Sequence, residues 1–142
     1  MKSQNPIILL LIFSALAGLH FSWALGSHWG FTAALPTTPE GDLLLKPTPL
    51  DSAIIGFGLM AFSIYYLLQT QWINKTLPDK LNRIIGWVIP GIFLLRAVGD
   101  FKYVGIFKPP MQTAFAQADF FFYSPLCLLI ALLGFLVVRP KD

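Results

Sequence analysis

Charge is scarce in this sequence. Asp, Glu, Lys and Arg make up 12% of its 142 residues, about half the share in a soluble domain, which leaves too few to coat a water-facing surface. There is one cysteine, Cys127, and it sits in an apolar run, so an intrachain disulfide and a cysteine metal cluster are both excluded. The histidines are His20 and His28 alone, and Gly26 between them works against one helix face presenting both as haem ligands. No P-loop, Rossmann glycine pattern, HExxH, CxxC or nucleophile elbow is present. ATP-driven transport is set aside, and no cofactor and no metal are expected. The net charge of +3 is modest. Its basic residues lie in short loops and at the ends, as topology signals do, and make no nucleic-acid surface.

What is present is hydrophobic length. Apolar residues are 56% of the chain and gather into four runs of about 20 residues, each enough to cross a bilayer as a helix. The expected fold is therefore all-α: a polytopic membrane protein, a four-transmembrane-helix bundle in a single domain over 1–142. Its helices are placed at about 6–25, 51–72, 84–106 and 119–138. Pro6 opens the first, where a missing N–H is harmless. Asp51 or Ser52 offers an N-cap to the second, Pro90 kinks the third, and Arg139-Pro140 stops the fourth. The connection 26–50 holds Pro36, Pro39, Pro47 and Pro49. It is longer than a turn requires and reads as a lid.

Lysine and arginine counts orient the bundle. With both termini cytoplasmic, the inner side carries Lys2, Lys75, Lys80, Arg83, Arg139 and Lys141 and the outer side Lys46, Lys102 and Lys108, six against three. A competing reading makes the first run a signal peptide cleaved near Ala24-Leu25-Gly26. The length of the run and the bulk of His20, Phe21 and Trp23 beside that point favour retention.

One segment breaks the apolar pattern. FLLRAVGDFKYVG, residues 93–105, sets Arg96 and Asp100 four apart inside the third run. At about 1.5 Å per residue from an inner boundary near Ile84, Arg96 lies about 18 Å and Asp100 about 24 Å into the hydrocarbon. His20 on the first helix lies about 21 Å deep by the same rise. At 3.6 residues per turn Arg96, Asp100 and Tyr103 share one face, where an Arg96–Asp100 ion pair is expected. Each charge costs about 2.5–3.5 kcal/mol at a helix centre, so the stripe must face the bundle interior or a wet cavity. Asp51 and Asp119 are expected as N-caps, with Asp119 and Tyr123 also rimming the polar layer. The candidate ligand-binding residues are His20, Trp23, Arg96, Asp100, Tyr103, Asp119 and Tyr123. Trp29 and His28 are expected to fold back over the outer mouth, and Gly18, Gly56 and Gly58 to permit close helix approach.

Three stretches carry a family resemblance: H-x-x-W-A-L-G-x-x-W-G from His20, L-R-x-x-G-D-F-x-Y-x-G-x-F-K from Leu95, and D-x-x-x-Y-S-P-L-C from Asp119. The chain resembles the bacterial integral-membrane family known as domain of unknown function 3995. That resemblance implies a compact four-helix membrane protein of the bacterial cytoplasmic (inner) membrane and carries no activity. The matching positions are His20, Trp23, Trp29, Arg96, Gly99, Asp100, Tyr103, Asp119, Tyr123, Ser124 and Pro125.

Three functions stay open at this point. The first is binding, or proton-coupled passage, of a small polar or anionic ligand anchored by Arg96, with His20 titrating near neutral pH. The second is a membrane-embedded, isomerase-like enzyme acting on a lipid-like substrate through His20 and an acid. The third is a non-catalytic assembly or scaffold subunit in which the charges clasp helices together. The bilayer is the expected partner in each, with a second copy of the chain or another membrane protein left open.

Overall fold

The computed structural model describes residues 4–70, 72–73, 76–110 and 112–138. Among these the regular structure is helical. Helix α1 is Asn5–Ala24, α2 is Pro49–Gln69 and α3 is Asp79–Val98. Helix α4 (Ala114–Ala118) runs through a π-helical turn, Asp119–Tyr123, into α5 (Ser124–Val138). Asn5–Ala24, Pro49–Gln69, Asp79–Val98 and Ala114–Val138 are long and apolar enough to cross a membrane. Lys2, Lys75, Arg139 and Lys141, which contribute to the orientation count, lie outside the described residues, as does the Arg139-Pro140 stop.

Several boundaries differ from expectation for local reasons. Helix α2 starts at Pro49, and its N-cap is Thr48, not Asp51 or Ser52. Thr48 Oγ1 accepts from the Asp51 N–H at 3.3 Å while the Thr48 N–H donates to Asp51 Oδ2 at 2.7 Å, a reciprocal capping box. Helix α3 starts at Asp79, because its first turn is polar and adds nothing to the apolar run. It also ends at Val98, well short of 106, where Gly99 turns the backbone left-handed at φ 83°. The fourth span starts at Ala114, capped by the Thr113 hydroxyl, so Asp119 lies inside it.

The bundle is two helix pairs, α1 with α2 and α3 with α5, joined along α1 and α5. Phe13 of α1 is the hub. It stacks on Tyr66 at 5.6 Å and meets Phe62 and Phe93 edge-on at 5.6 and 5.2 Å, geometries that aromatic quadrupoles favour. Leu9, Ala17, Leu59, Tyr65, Ile89 and Ile130 complete this core. Of the three glycines expected at helix contacts, Gly56 admits the Phe21 ring, which a Cβ would meet at 2.8 Å, whereas Gly18 and Gly58 face open space. Helix α3 passes through Pro90, whose ring seats against Gly134 of α5, where a Cβ would come within 2.8 Å.

Some polar side chains pair between helices. Ser14 and Ser63 share a hydrogen bond of 2.7 Å. At the end away from the lid, Tyr65 donates to the Asn82 carbonyl at 3.1 Å and Gln69 to Asn82 Oδ1 at 2.8 Å. The outer faces are the reverse: Leu11, Phe57, Leu95 and Phe121 are all more than 60% exposed. Such a surface would aggregate in water and is of the kind that suits a lipid environment.

Candidate functional site

The segment after α3 folds into a closed loop. Asp100 N–H donates to the Val104 carbonyl at 3.1 Å and Ile106 N–H to the Ala97 carbonyl at 2.9 Å. Asp100 Oδ1 accepts from the backbone N–H groups of Lys102, Tyr103 and Val104 at 2.9, 2.7 and 2.9 Å. Closure needs two backbones in contact. Gly105, at φ 96°, lies directly on Gly99, and a Cβ on Gly99 would fall 1.8 Å from the Val104 carbonyl oxygen. The crossing aims the Gly105 N–H into the bundle.

Facing it is the π-helical turn of the fourth span. Pro125 follows this turn; it has no N–H to give to the carbonyl one turn back and its ring crowds that carbonyl, so the preceding turn is widened. Asp119, first in the turn, is completely buried. Its Oδ1 accepts from Arg96 Nη2 at 2.7 Å and from Ser124 Oγ at 3.2 Å. Its Oδ2 accepts from Gly105 N–H at 2.8 Å and forms an ion pair with Lys108 Nζ. Four donors occupy this carboxylate, which acts purely as an acceptor, as the ionised form does.

The charges around it do not cancel. Arg96 and Lys108 bring two cations to one carboxylate. Lys108 is almost wholly buried, its side chain 4% exposed, and its ammonium also lies 5.7 Å from the Phe115 ring centre, a favourable cation–π placement. Arg96 Nη1 is buried and has no hydrogen-bond partner. An unmade bond to a buried guanidinium nitrogen is costly.

The lid spans this end. Its short 3₁₀ turn, Thr32–Ala34, packs on α4. Trp23 Nε1–H donates to the Trp29 carbonyl at 2.8 Å, and the Tyr123 hydroxyl donates to the Ala33 carbonyl at 3.3 Å. His20 stands edge-on to Trp23, ring centres 4.8 Å apart, and its buried Nδ1 has no partner.

A family model described as "Protein of unknown function (DUF3995)" matches residues 13–134. The chain belongs to this family. No curated protein and no solved structure matches it. The matched region of this DUF3995 protein contains every residue of the Asp119 cluster and both lid anchors.

The candidate residues thus divide into three places. Arg96 and Asp119 meet in the buried cluster. The expected Arg96–Asp100 pair is absent: the helix that would have aligned them stops at Gly99, and Asp100 organises the loop amides instead. For the same reason Tyr103 leaves the helical face; its ring lies under the Lys102 ammonium at 4.9 Å. Asp119 is not a helix N-cap, since α4 precedes it. Trp23 and Tyr123 tie down the lid, and His20 packs beside Trp23. Trp29 folds back as expected, but through its carbonyl, with its side chain 78% exposed. The sequence reading missed Lys108, Ser124 and the Gly105 amide as members of the cluster. The signal for them was the Gly99–Gly105 spacing with Lys108 just beyond.

Asp100 gives a pH prediction. Burial pushes its carboxyl pKa up, but the backbone N–H groups of Val104, Lys102, Tyr103 and Asp100 itself outweigh that and hold it below the ordinary carboxylate value. A carboxyl depressed in the folded state contributes stability in full above the unfolded value of about 3.9, and loses it as pH falls through the folded value. Asp100→Asn should therefore lower the melting temperature of the detergent-solubilised protein at pH 6, and the gap to wild type should close as the pH drops below about 4. A gap independent of pH would exclude the carboxylate as its source.

Proposed function

We propose that this protein is a four-span component of a bacterial cytoplasmic membrane, both termini on the cytoplasmic side, that binds a small anionic group at the lidded end of the bundle. The six-to-three charge asymmetry supports the orientation. One observation carries the function: the acceptors of Asp119 are fully occupied, while Arg96 Nη1 is buried with nothing to donate to. A site with one cation in excess and an unused guanidinium donor is matched by an anionic oxygen, which a guanidinium binds more strongly than a neutral acceptor. Trp23 and Tyr123 tie the lid down at this end.

Asp119 also favours a second reading, a pure helix clasp, because it joins α3, the following loop and the fourth span through four hydrogen bonds. Arg96→Lys separates the two, since lysine keeps the charge and one contact to Asp119 but has no second planar nitrogen. Added inorganic phosphate, at constant ionic strength, should raise the melting temperature of the wild-type protein by about 3 °C or more. The Arg96→Lys protein should stay monodisperse and show no such rise. An equal rise in both, no rise in wild type, or misassembly of the variant would favour the clasp.

A further inference from the structure

A cavity of about 340 Å³ opens beside the Asp119 cluster. Lys108, Gln112 and Gln117 supply its polar lining, and Phe120 and Phe121 supply an aromatic wall. Lys108 is the group shared with the cluster. Its ammonium carries three hydrogens, and among the described residues it has a single hydrogen-bond acceptor, Asp119. Gln117 and Phe121 are one helical turn apart, so amide and aromatic surface follow one another along the span. Phe120 and Phe121 are 50% and 77% exposed, on a helix apolar enough to cross the membrane. The wall is therefore continuous with the surface that lipid tails cover.

This order of polarity, a cation and two amides followed by exposed aromatic surface, is that of an amphiphile lying along the helix. A free inorganic anion has no use for the aromatic wall. The volume lies at the small end of the range for ligand sites, enough for a headgroup whose tails stay outside. A lysine ammonium binds phosphate as a point charge. We infer that the anion bound by this protein is the phosphate of an anionic membrane lipid, seated in the Lys108–Gln117 cavity with its acyl chains along Phe120 and Phe121. The inference rests on the anion reading above through Lys108 alone, which with Arg96 makes up the two-cation cluster on Asp119; Arg96 itself does not line this cavity.

The test compares three probes on the full chain in detergent: phosphatidylglycerol, phosphatidylcholine and inorganic phosphate. Phosphatidylglycerol should raise the melting temperature by about 5 °C at saturation, and phosphatidylcholine by much less. Gln117→Glu sets a like charge against the phosphate at an exposed position, where folding is little affected. It should weaken phosphatidylglycerol binding about tenfold or more and leave the melting temperature without lipid unchanged. A response to inorganic phosphate but not to phosphatidylglycerol would keep the anion reading and overturn the lipid as its source. Equal responses to the two lipids, or unchanged affinity in Gln117→Glu, would also overturn the lipid site. Silence from both phosphate and phosphatidylglycerol would overturn the anion reading itself.

Discussion

Replacing Asp119 by asparagine should lower the melting temperature of this protein in detergent by on the order of 10 °C. The substitution keeps the shape of the side chain and removes its charge. The buried Lys108 and the partly exposed Arg96 are then left as neighbouring cations with no counter-ion, and the asparagine amide presents two donors where the carboxylate presented only acceptors. Breaking a buried ionic cluster by removing one partner costs about 3–5 kcal/mol, whereas replacing its members together by apolar groups can be nearly neutral. That asymmetry supplies the control. Asp119→Asn combined with Lys108→Met removes one of the two stranded cations, and should recover part of the lost stability. The readout is thermal unfolding followed by circular dichroism, with size-exclusion chromatography to confirm that each variant is monodisperse. If Asp119→Asn melts as the wild type does, the carboxylate is not the centre that joins α3 to the fourth span.

The reach of the sequence can be judged at this same cluster. Four spans were legible because lipid-facing and core-facing residues are both apolar, so each helix appears as an unbroken run. What hydropathy could not show was where a polar turn begins or ends a helix. Asp79–Arg83 is polar and falls outside the apolar run of the third span, whereas Ala114–Ala118 is apolar apart from Gln117 and is missed because Asp119 reads as an N-cap. Residues 99–106 remain largely apolar and extend the expected third helix past its end at Val98. That second error produced the wrong ion pair, since Arg96 and Asp100 are helical neighbours only if the helix survives Gly99. The true partner of Arg96 lies 23 residues away, across a loop and on another span, and periodicity along one helix carries no information about that. Arg96 and Asp119 are expensive in lipid unless they meet a partner, and they meet each other. His20 marks the limit from the other side. Its depth suggested a place beside Arg96, yet it packs on Trp23 beneath the lid anchor, because depth constrains one coordinate and leaves rotation about the helix axis free.

Gly105→Ala should be at least as damaging as Asp119→Asn, although it adds one methyl group and touches no charge. At φ 96° an L-residue is strained by about 1–2 kcal/mol from backbone sterics alone. The added Cβ would also lie 2.4 Å from the Val98 carbonyl oxygen and 2.5 Å from Gly99 Cα. Those neighbours are backbone and cannot rotate away, so overpacking adds about 1–3 kcal/mol. Relief would require the loop to lift off the end of α3. Lifting it withdraws the Gly105 N–H from Asp119 Oδ2 and carries Lys108 away with it, so the strain is converted into loss of two of the four donors. A mid-helix glycine gives the opposite sign. Gly91, in α3, has nothing within 4 Å of a built Cβ, and alanine there should leave stability unchanged or raise it by about 0.5–1 kcal/mol. Measured together, a destabilised Gly105→Ala and an unaffected Gly91→Ala would locate the effect in the loop crossing. If Gly105→Ala instead matches wild type in melting temperature, the closed loop over Asp119 is not the folded geometry, and the cluster must be held together without the backbone donor. The same variant bears on binding. Lys108 serves both the carboxylate and the proposed lipid cavity, so a loop that has lifted should abolish the response to phosphatidylglycerol at temperatures where the four spans are still folded.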